Sequence, residues 1–319
     1  MNQESKSTLS TPSSPFGKFL DREYCLMVRG LGMLAIVYGH TINEFMPFLE
    51  KYHLTSTLGL PVLGVAICFF LSGYGLTCSF ASNIVDFRYI LRHLNKILLP
   101  YLIFWIMWIG VGCALGTFPS GQNLFVSFMT LAMPNADAWF LKAIVVLYVI
   151  YMLLRWKMPG YERIIISLLI IAYIILSAYL GFPNYWWGQI LCFPLGIAFS
   201  SISILRRKVS IQTMVLLLII LVALKMYGDG ALMFLSVGTC ILIAYLSTYV
   251  KYIISFIVWI GANSIYVYLM ECIPIDYMNS QDVGILMFVL GGIGITLVLS
   301  HFGRWIERFI NRKVFNYSV

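Results

Sequence analysis

The chain has few charged residues. Asp, Glu, Lys and Arg together make up 11% of its 319 residues, whereas apolar residues make up 61%. Because so few charged side chains cannot cover the surface of a water-soluble globule, the composition excludes an ordinary soluble protein. It predicts a protein that lies in a lipid bilayer.

Several common catalytic motifs are also missing. The sequence contains no P-loop, no G-x-G-x-x-G and no G-x-S-x-G, which removes the usual nucleotide-driven and hydrolase functions. Its seven Cys residues are scattered, with no C-x-x-C pair and no His at ligand spacing. We therefore expect neither a disulfide framework nor a metal site.

Long apolar runs dominate what is present. Runs of about 17 to 23 residues are long enough to cross a bilayer as helices. The sequence therefore predicts an all-α integral membrane protein with about ten transmembrane helices. The runs cover residues 27–46, 58–80, 97–117, 138–154, 164–180, 186–202, 211–226, 231–248, 253–270 and 284–300.

The basic residues are distributed unevenly between the two membrane faces. Of the 21 Lys and Arg residues, all except Lys51, Lys142 and Lys225 lie near the chain ends or in every second connection between runs. By the positive-inside rule this face is cytoplasmic, so we expect both termini in the cytoplasm. The net charge of +8 then follows from topology and requires no nucleic-acid partner.

Three segments follow from this layout. Residues 1–20 are polar and rich in Ser and Thr, which predicts a disordered cytoplasmic tail. Residues 21–302 form the predicted ten-helix membrane domain. Residues 303–319 form a predicted basic cytoplasmic tail. The lipid bilayer is the expected surrounding of the domain, and the sequence does not predict an oligomeric state.

Two ionisable residues, Arg29 and His40, lie in the first apolar run. Eleven residues correspond to about 1100° of helix rotation, which places both side chains on one face, about 16 Å apart along the axis. Ionisable residues inside a membrane are costly and usually functional. A satisfied core His with Arg29 as a membrane anchor is the structural alternative.

Four motifs resemble the membrane acyltransferase-3 family. They are Arg29 with ten residues to His40, Phe-Phe-Leu-Ser-Gly-Tyr at 69–74, a basic stretch at 88–96 that leads into Leu-Pro-Tyr at 99–101, and Trp-Phe-Leu-Lys at 139–142. The resemblance implies a bacterial cytoplasmic (inner) membrane enzyme, multi-pass, that transfers an acyl group, most often acetyl from acetyl-CoA. The implied acceptor is a hydroxyl of a cell-surface or exported glycan, or of a lipid-linked sugar.

The chemistry of acyl transfer gives His40 and Arg29 candidate roles. A base must remove the proton of the acceptor hydroxyl, and imidazole is the commonest such base, so His40 is the candidate. An alternative is that His40 carries the acyl group covalently. Arg29 would lie at the cytoplasmic end of the helix, where a guanidinium can bind CoA phosphates.

Two further charged residues are catalytic candidates. Glu44 follows His40 by one helical turn and either orients the imidazole or is the first solvated residue of the outer loop. Lys142 either polarises the thioester carbonyl, pairs with Glu44 or Glu271, or extends its amine outwards to the membrane surface. The sequence leaves these alternatives open.

The predicted donor site includes Arg29 and four more residues. Arg88, Arg92 and Lys96 share one helix face and form a basic cluster, which either binds CoA or only anchors the topology. Ser72 with Gly73 either opens a slot for the pantetheine arm or permits close helix packing.

By the resemblance, we assign Trp139, Tyr268 and Glu271 to acceptor binding. Many members of the family carry His where this chain has Glu271, and this difference indicates a different acceptor. A transporter or flippase of a glycan or small polar substrate is the rival function, because multi-span bundles with sparse internal charges also form substrate pathways. A purely structural membrane protein is the third possibility, which would leave His40 without a role.

Overall fold

The structure, a computed structural model, describes residues 19–43, 59–116, 124–131, 139–206, 209–225, 232–250, 252–279 and 284–314. Within these ranges the chain is helical and contains no β-strand. Thirteen α-helices are numbered here in chain order. They are α1 (Arg22–Asn43), α2 (Leu60–Ser82), α3 (Phe87–Leu115), α4 (Leu124–Met129), α5 (Trp139–Lys157), α6 (Glu162–Tyr179), α7 (Cys192–Ser201), α8 (Ile211–Lys225), α9 (Leu232–Leu246), α10 (Ser255–Ala262), α11 (Ser264–Met270), α12 (Cys272–Asn279) and α13 (Ile285–Val314).

Six of these helices are long and apolar enough to cross a membrane: α1, α2, α3, α5, α6 and α13. A seventh span is possible through α10 and the helical segment that follows it, which meet at an angle of 72°. The apolar helices α7, α8 and α9 are shorter. The multi-span helical architecture is confirmed, whereas the number of ten spans and the cytoplasmic termini stay predictions.

Two helices extend well beyond the predicted apolar runs. Helix α3 begins at Phe87, ten residues before the predicted run, because the Asp86 carboxylate accepts a hydrogen bond of 2.7 Å from the backbone N–H of Tyr89 and caps the helix. Helix α13 continues to Val314, through the predicted boundary at residue 302. Apolar runs alone miss such amphipathic helix ends.

Glycines let the central helices approach at backbone distance. A Cβ at Gly261 of α10 would collide with the carbonyl oxygen of Leu26 of α1. A Cβ at Gly73 of α2 would collide in the same way with Phe193 of α7. In a membrane, where the hydrophobic effect does not draw helices together, such close contact supplies much of the packing energy. A Cβ at Gly64 of α2 would likewise collide with the carbonyl oxygen of Gly32, so α1 packs closely against both α2 and α10.

The bend between α10 and α11 lies at Asn263, beside α1. The Asn263 amide donates a hydrogen bond of 2.7 Å to the carbonyl of Trp259, so a side chain satisfies one of the backbone groups at the break. After the bend, α11 leads through Glu271 into α12. This course brings Glu271 into the interior, where it is only 1% exposed.

Candidate functional site

A large cavity, the basic cavity, lies between the ends of several helices. Its volume is about 640 Å³. Its polar and charged lining comes from α1, α2, α3, α5, α11 and α13. These residues are Arg22, Arg29, Ser72, Ser79, His93, Lys96, Tyr148, Ser264, Tyr268, Arg304, Glu307 and Asn311.

The basic cavity contains part of the predicted donor site. Arg29, Ser72 and Lys96 all line it. Arg88 and Arg92 are exposed on α3 and do not belong to the lining. The structure therefore brings together three of the five predicted donor-binding residues, from three different helices.

Several lining residues were missing from the sequence-based prediction. Arg22 is one of the basic residues near the chain ends that were used there only for topology, and Arg304 falls in the predicted basic tail. His93 lies within the basic stretch at 88–96, and its Nδ1 lies 3.0 Å from the carbonyl oxygen of Tyr89. The signal for Arg304 is the spacing with Glu307 and Asn311, which places all three on one face of α13.

Two aromatic residues, Phe140 and Tyr268, also line the basic cavity. Tyr268 is 3% exposed, and its ring meets that of Phe140 edge to face with centroids 5.4 Å apart. Phe140 in turn packs on Phe69, at a centroid distance of 5.2 Å. Trp139 also contacts the Phe69 ring. The Phe-Phe-Leu-Ser-Gly and Trp-Phe-Leu-Lys motifs thus meet in the fold.

Glu271, three residues after Tyr268, pairs with His40. The imidazole Nδ1 is 2.8 Å from Oε1 of Glu271, which comes from a position 231 residues later in the chain. Tyr268 and Glu271 are three residues apart, so they share a helix face, and this face joins the pair to the cavity lining. The His40 side chain is 36% exposed, whereas the Glu271 side chain is 1% exposed.

The pairing constrains the hydrogen-bonding roles of the two imidazole nitrogens. When the Glu271 carboxylate is ionised it has no proton to donate, and Nδ1–H of His40 then donates to its Oε1. Proton exchange with a substrate therefore falls to Nε2. The second carboxylate oxygen, Oε2, is buried and has no hydrogen-bond partner among the described residues. A base held by a buried carboxylate is the arrangement that activates nucleophiles in many transferases and hydrolases.

Glu44, the carboxylate that the sequence analysis placed beside His40, lies outside the described residues. Within the described chain, Glu271 supplies a carboxylate partner for the imidazole. The sequence analysis assigned Glu271 to acceptor binding, and contact of Glu271 with an acceptor stays a prediction.

Lys142 is not brought to the His40–Glu271 pair. It lines a second, largely apolar cavity of about 310 Å³ between α5 and α6, together with Trp139. Phe140 and Ile144 line the basic cavity from the other side of α5. Helix α5 therefore separates the Lys142 amine from the basic cavity.

Comparison with protein families identifies the chain. The model of acyltransferase family 3, described as an acyltransferase domain, matches residues 24–305, nearly the whole chain. The chain belongs to acyltransferase family 3. The resemblance drawn from the four motifs is therefore confirmed. Comparison of this acyltransferase with curated proteins and with solved structures gave no match.

The matched range of the acyltransferase includes both parts of the site. Arg29, His40 and Glu271 lie within it, as does Arg304 near its end. Glu307 and Asn311 lie just beyond the matched range, although they line the same cavity.

Proposed function

We propose that this protein transfers an acyl group, most simply acetyl, from cytoplasmic acyl-CoA to a hydroxyl of a cell-surface or exported glycan or of a lipid-linked sugar. The observation that carries the proposal is the hydrogen bond between His40 and Glu271, because Glu271 follows by three residues Tyr268, which lines the basic cavity. We further propose that the enzyme acts in the cytoplasmic membrane of a bacterium.

The basic cavity supports an acyl-CoA donor. Its volume of about 640 Å³ falls within the range of about 300 to 1,000 Å³ typical of small-molecule sites. Arg29 and Lys96 supply positive charge for the phosphates of CoA, and Ser72 offers a small hydroxyl beside them. A neutral sugar donor would not require this charge.

The orientation of the bound donor is inferred from the charged and the aromatic parts of the cavity lining. The charged lining comes from helix ends that the distribution of basic residues assigns to the cytoplasm. The aromatic part, with Tyr268 and Phe140, adjoins the helix face that carries Glu271. An acyl-CoA with its phosphates among the basic groups would therefore direct its thioester towards His40.

The proposed reaction has His40 as general base. Nε2 accepts the proton of the acceptor hydroxyl as its oxygen bonds to the thioester carbonyl carbon. The carbon–sulfur bond then breaks, and the imidazolium returns the proton to the departing thiolate, which gives an ester and free CoASH. Glu271 stabilises the imidazolium through Nδ1. Proton transfer by a positioned His contributes about 10²- to 10⁴-fold to the rate.

We propose the class of acceptor from the family resemblance. We propose the side from which the acceptor reaches the site from the position of His40. His40 lies three helical turns beyond Arg29 and is partly exposed, so a hydroxyl can reach it from the side opposite the donor phosphates. Direct transfer then needs one active site, which the donor reaches from one side and the acceptor from the other.

Radiolabelled acetyl-CoA supplied to inverted membrane vesicles tests the proposal. Incorporation of label into the glycan fraction and into the protein itself is compared for wild type, His40→Ala and Arg29→Ala at equal expression. We expect His40→Ala to lose at least about 100-fold of the transfer rate. Arg29→Ala should raise the KM for acetyl-CoA by roughly 10- to 100-fold.

Arg312→Ala is the matched control, because Arg312 is exposed on α13 and does not line the cavity. It should leave transfer unchanged. Equal incorporation by His40→Ala and wild type would contradict the catalytic role and favour the transporter alternative. Label that stays on the wild-type protein, and is absent from His40→Ala, would indicate an acyl-His intermediate.

A further inference from the structure

The last helix forms one wall of the basic cavity. Arg304, Glu307 and Asn311 of α13 all line it, opposite Arg29 of α1 and Lys96 of α3. Their spacing of three and four residues keeps them on one face of the helix. One face of α13 therefore forms this wall of the cavity.

Glu307 holds Arg304 in place on this wall. Its carboxylate is 6% exposed. Oε2 accepts a hydrogen bond of 3.1 Å from the hydroxyl of Tyr266 and another from Nη1 of Arg304. A Cβ at Gly303 would meet the Tyr266 ring at 2.8 Å, so α11 and α13 are in close contact at this point. The carboxylate that binds the guanidinium is thus held by a residue of a second helix, α11.

The charges of the wall favour an anionic ligand. Among the described lining residues, Arg22, Arg29, Lys96 and Arg304 carry positive charge, and Glu307 supplies a carboxylate. Since Arg304 offsets Glu307, the cavity keeps an excess of positive charge. The Arg304 side chain lines the cavity and is 34% exposed, so its guanidinium is accessible to a ligand there.

We propose that Arg304, oriented by Glu307 and Tyr266, binds a phosphate group of the acyl donor. This inference rests on the proposed function and adds a second side to its donor site. A guanidinium binds phosphate by charge-assisted hydrogen bonds in a fixed geometry. Glu307 and Tyr266 act as positioning residues and do not themselves contact the donor phosphate.

Two thioesters that differ in their phosphates test this proposal. Acetyl-CoA carries phosphates, whereas S-acetyl-pantetheine has the same reacting group without them. We expect Arg304→Ala to lower kcat/KM for acetyl-CoA by roughly 10- to 100-fold through KM. The same variant should change kcat/KM for S-acetyl-pantetheine by less than about twofold.

Further variants separate binding from folding. Arg304→Lys keeps the charge and should restore part of the acetyl-CoA affinity. Glu307→Gln should raise the KM for acetyl-CoA and leave that for S-acetyl-pantetheine unchanged. Arg308→Ala is the control, because Arg308 is the exposed neighbour of Glu307 outside the lining. It should match wild type with both thioesters.

The outcomes distinguish this inference from the proposed function. Equal losses with both thioesters, or no loss with acetyl-CoA in Arg304→Ala, would overturn the phosphate contact alone. Wild-type protein that neither binds acetyl-CoA nor releases CoASH would overturn the proposed function, and the Arg304 proposal with it.

Discussion

Replacing Glu271 by Gln removes one charge from the His40–Glu271 pair and keeps the size of the side chain. The amide oxygen can still accept the hydrogen bond from Nδ1 of His40, but it no longer stabilises an imidazolium. Replacement of the corresponding carboxylate in a Ser-His-Asp triad costs about 10⁴-fold in kcat. We expect Glu271→Gln to lose roughly 10²- to 10⁴-fold.

The donor affinity of Glu271→Gln should change little. Glu271 does not line the basic cavity, so the KM for acetyl-CoA should stay within about threefold of wild type. Steady-state CoASH release by purified protein gives both constants. A fall in kcat at constant KM is the signature of an interaction that acts in the transition state.

The stability of Glu271→Gln should not fall. A buried polar group without a partner costs about 1 to 3 kcal/mol and more when it is charged, so a neutral amide in place of this carboxylate, whose Oε2 has no partner among the described residues, should not add to the cost. The unfolding midpoint in detergent should therefore stay equal to wild type or rise. This combination of lower activity and retained stability identifies a functional carboxylate.

Glu162→Gln is the matched control, because Glu162 is also 1% exposed. Its carboxylate accepts hydrogen bonds from Arg155, at 3.1 Å, and from the backbone N–H of Gly160. Loss of this charge should lower the unfolding midpoint and leave the kcat of the folded protein unchanged. If Glu271→Gln kept kcat within threefold of wild type, the reasoning about the pair would be refuted.

Three further substitutions test the packing around the site. Gly73→Ala should prevent close packing of α2 on α7 and lower the yield of folded protein on size-exclusion chromatography. Gly110→Ala is the control and should match wild type, because a Cβ at Gly110 meets nothing within 4 Å. Equal yields of the two variants would contradict the packing argument. Ser72→Val should keep the fold and raise the KM for acetyl-CoA, because Ser72 lines the basic cavity. An unchanged KM would contradict a contact between Ser72 and the donor. Thr77→Val removes a buried hydroxyl 2.9 Å from that of Tyr151 and should lower the free energy of unfolding by about 1 to 2 kcal/mol in urea titrations without lowering kcat.

The sequence was sufficient for the class of protein and for the family. Apolar runs predict membrane helices because a bilayer leaves few alternatives to a helix for a single-chain segment. The ends of α3 and α13 were not predicted, since their amphipathic turns carry charges that interrupt an apolar run. The side-chain cap by Asp86 is the local signal that a closer analysis of helix starts could have used.

The pairing of His40 with Glu271 could not be predicted from spacing. It depends on the bend at Asn263 and on the backbone approach of Gly261 to α1, which only the packed fold defines. Arg304 was interpreted as part of a tail because its charge fits the positive-inside rule equally well. A local sequence pattern predicts which residues share a helix face, but it does not predict which helix packs against that face.

Purified wild-type protein and His40→Gln, both reconstituted into lipid nanodiscs, provide the most direct test of the central claim. Equilibrium binding of acetyl-CoA and CoASH release in the presence of an acceptor glycan are measured on the same samples. The account predicts that His40→Gln binds acetyl-CoA within about twofold of wild type and releases CoASH at least about 100-fold more slowly. Release within threefold of the wild-type rate would contradict the role of His40 as the base in acyl transfer.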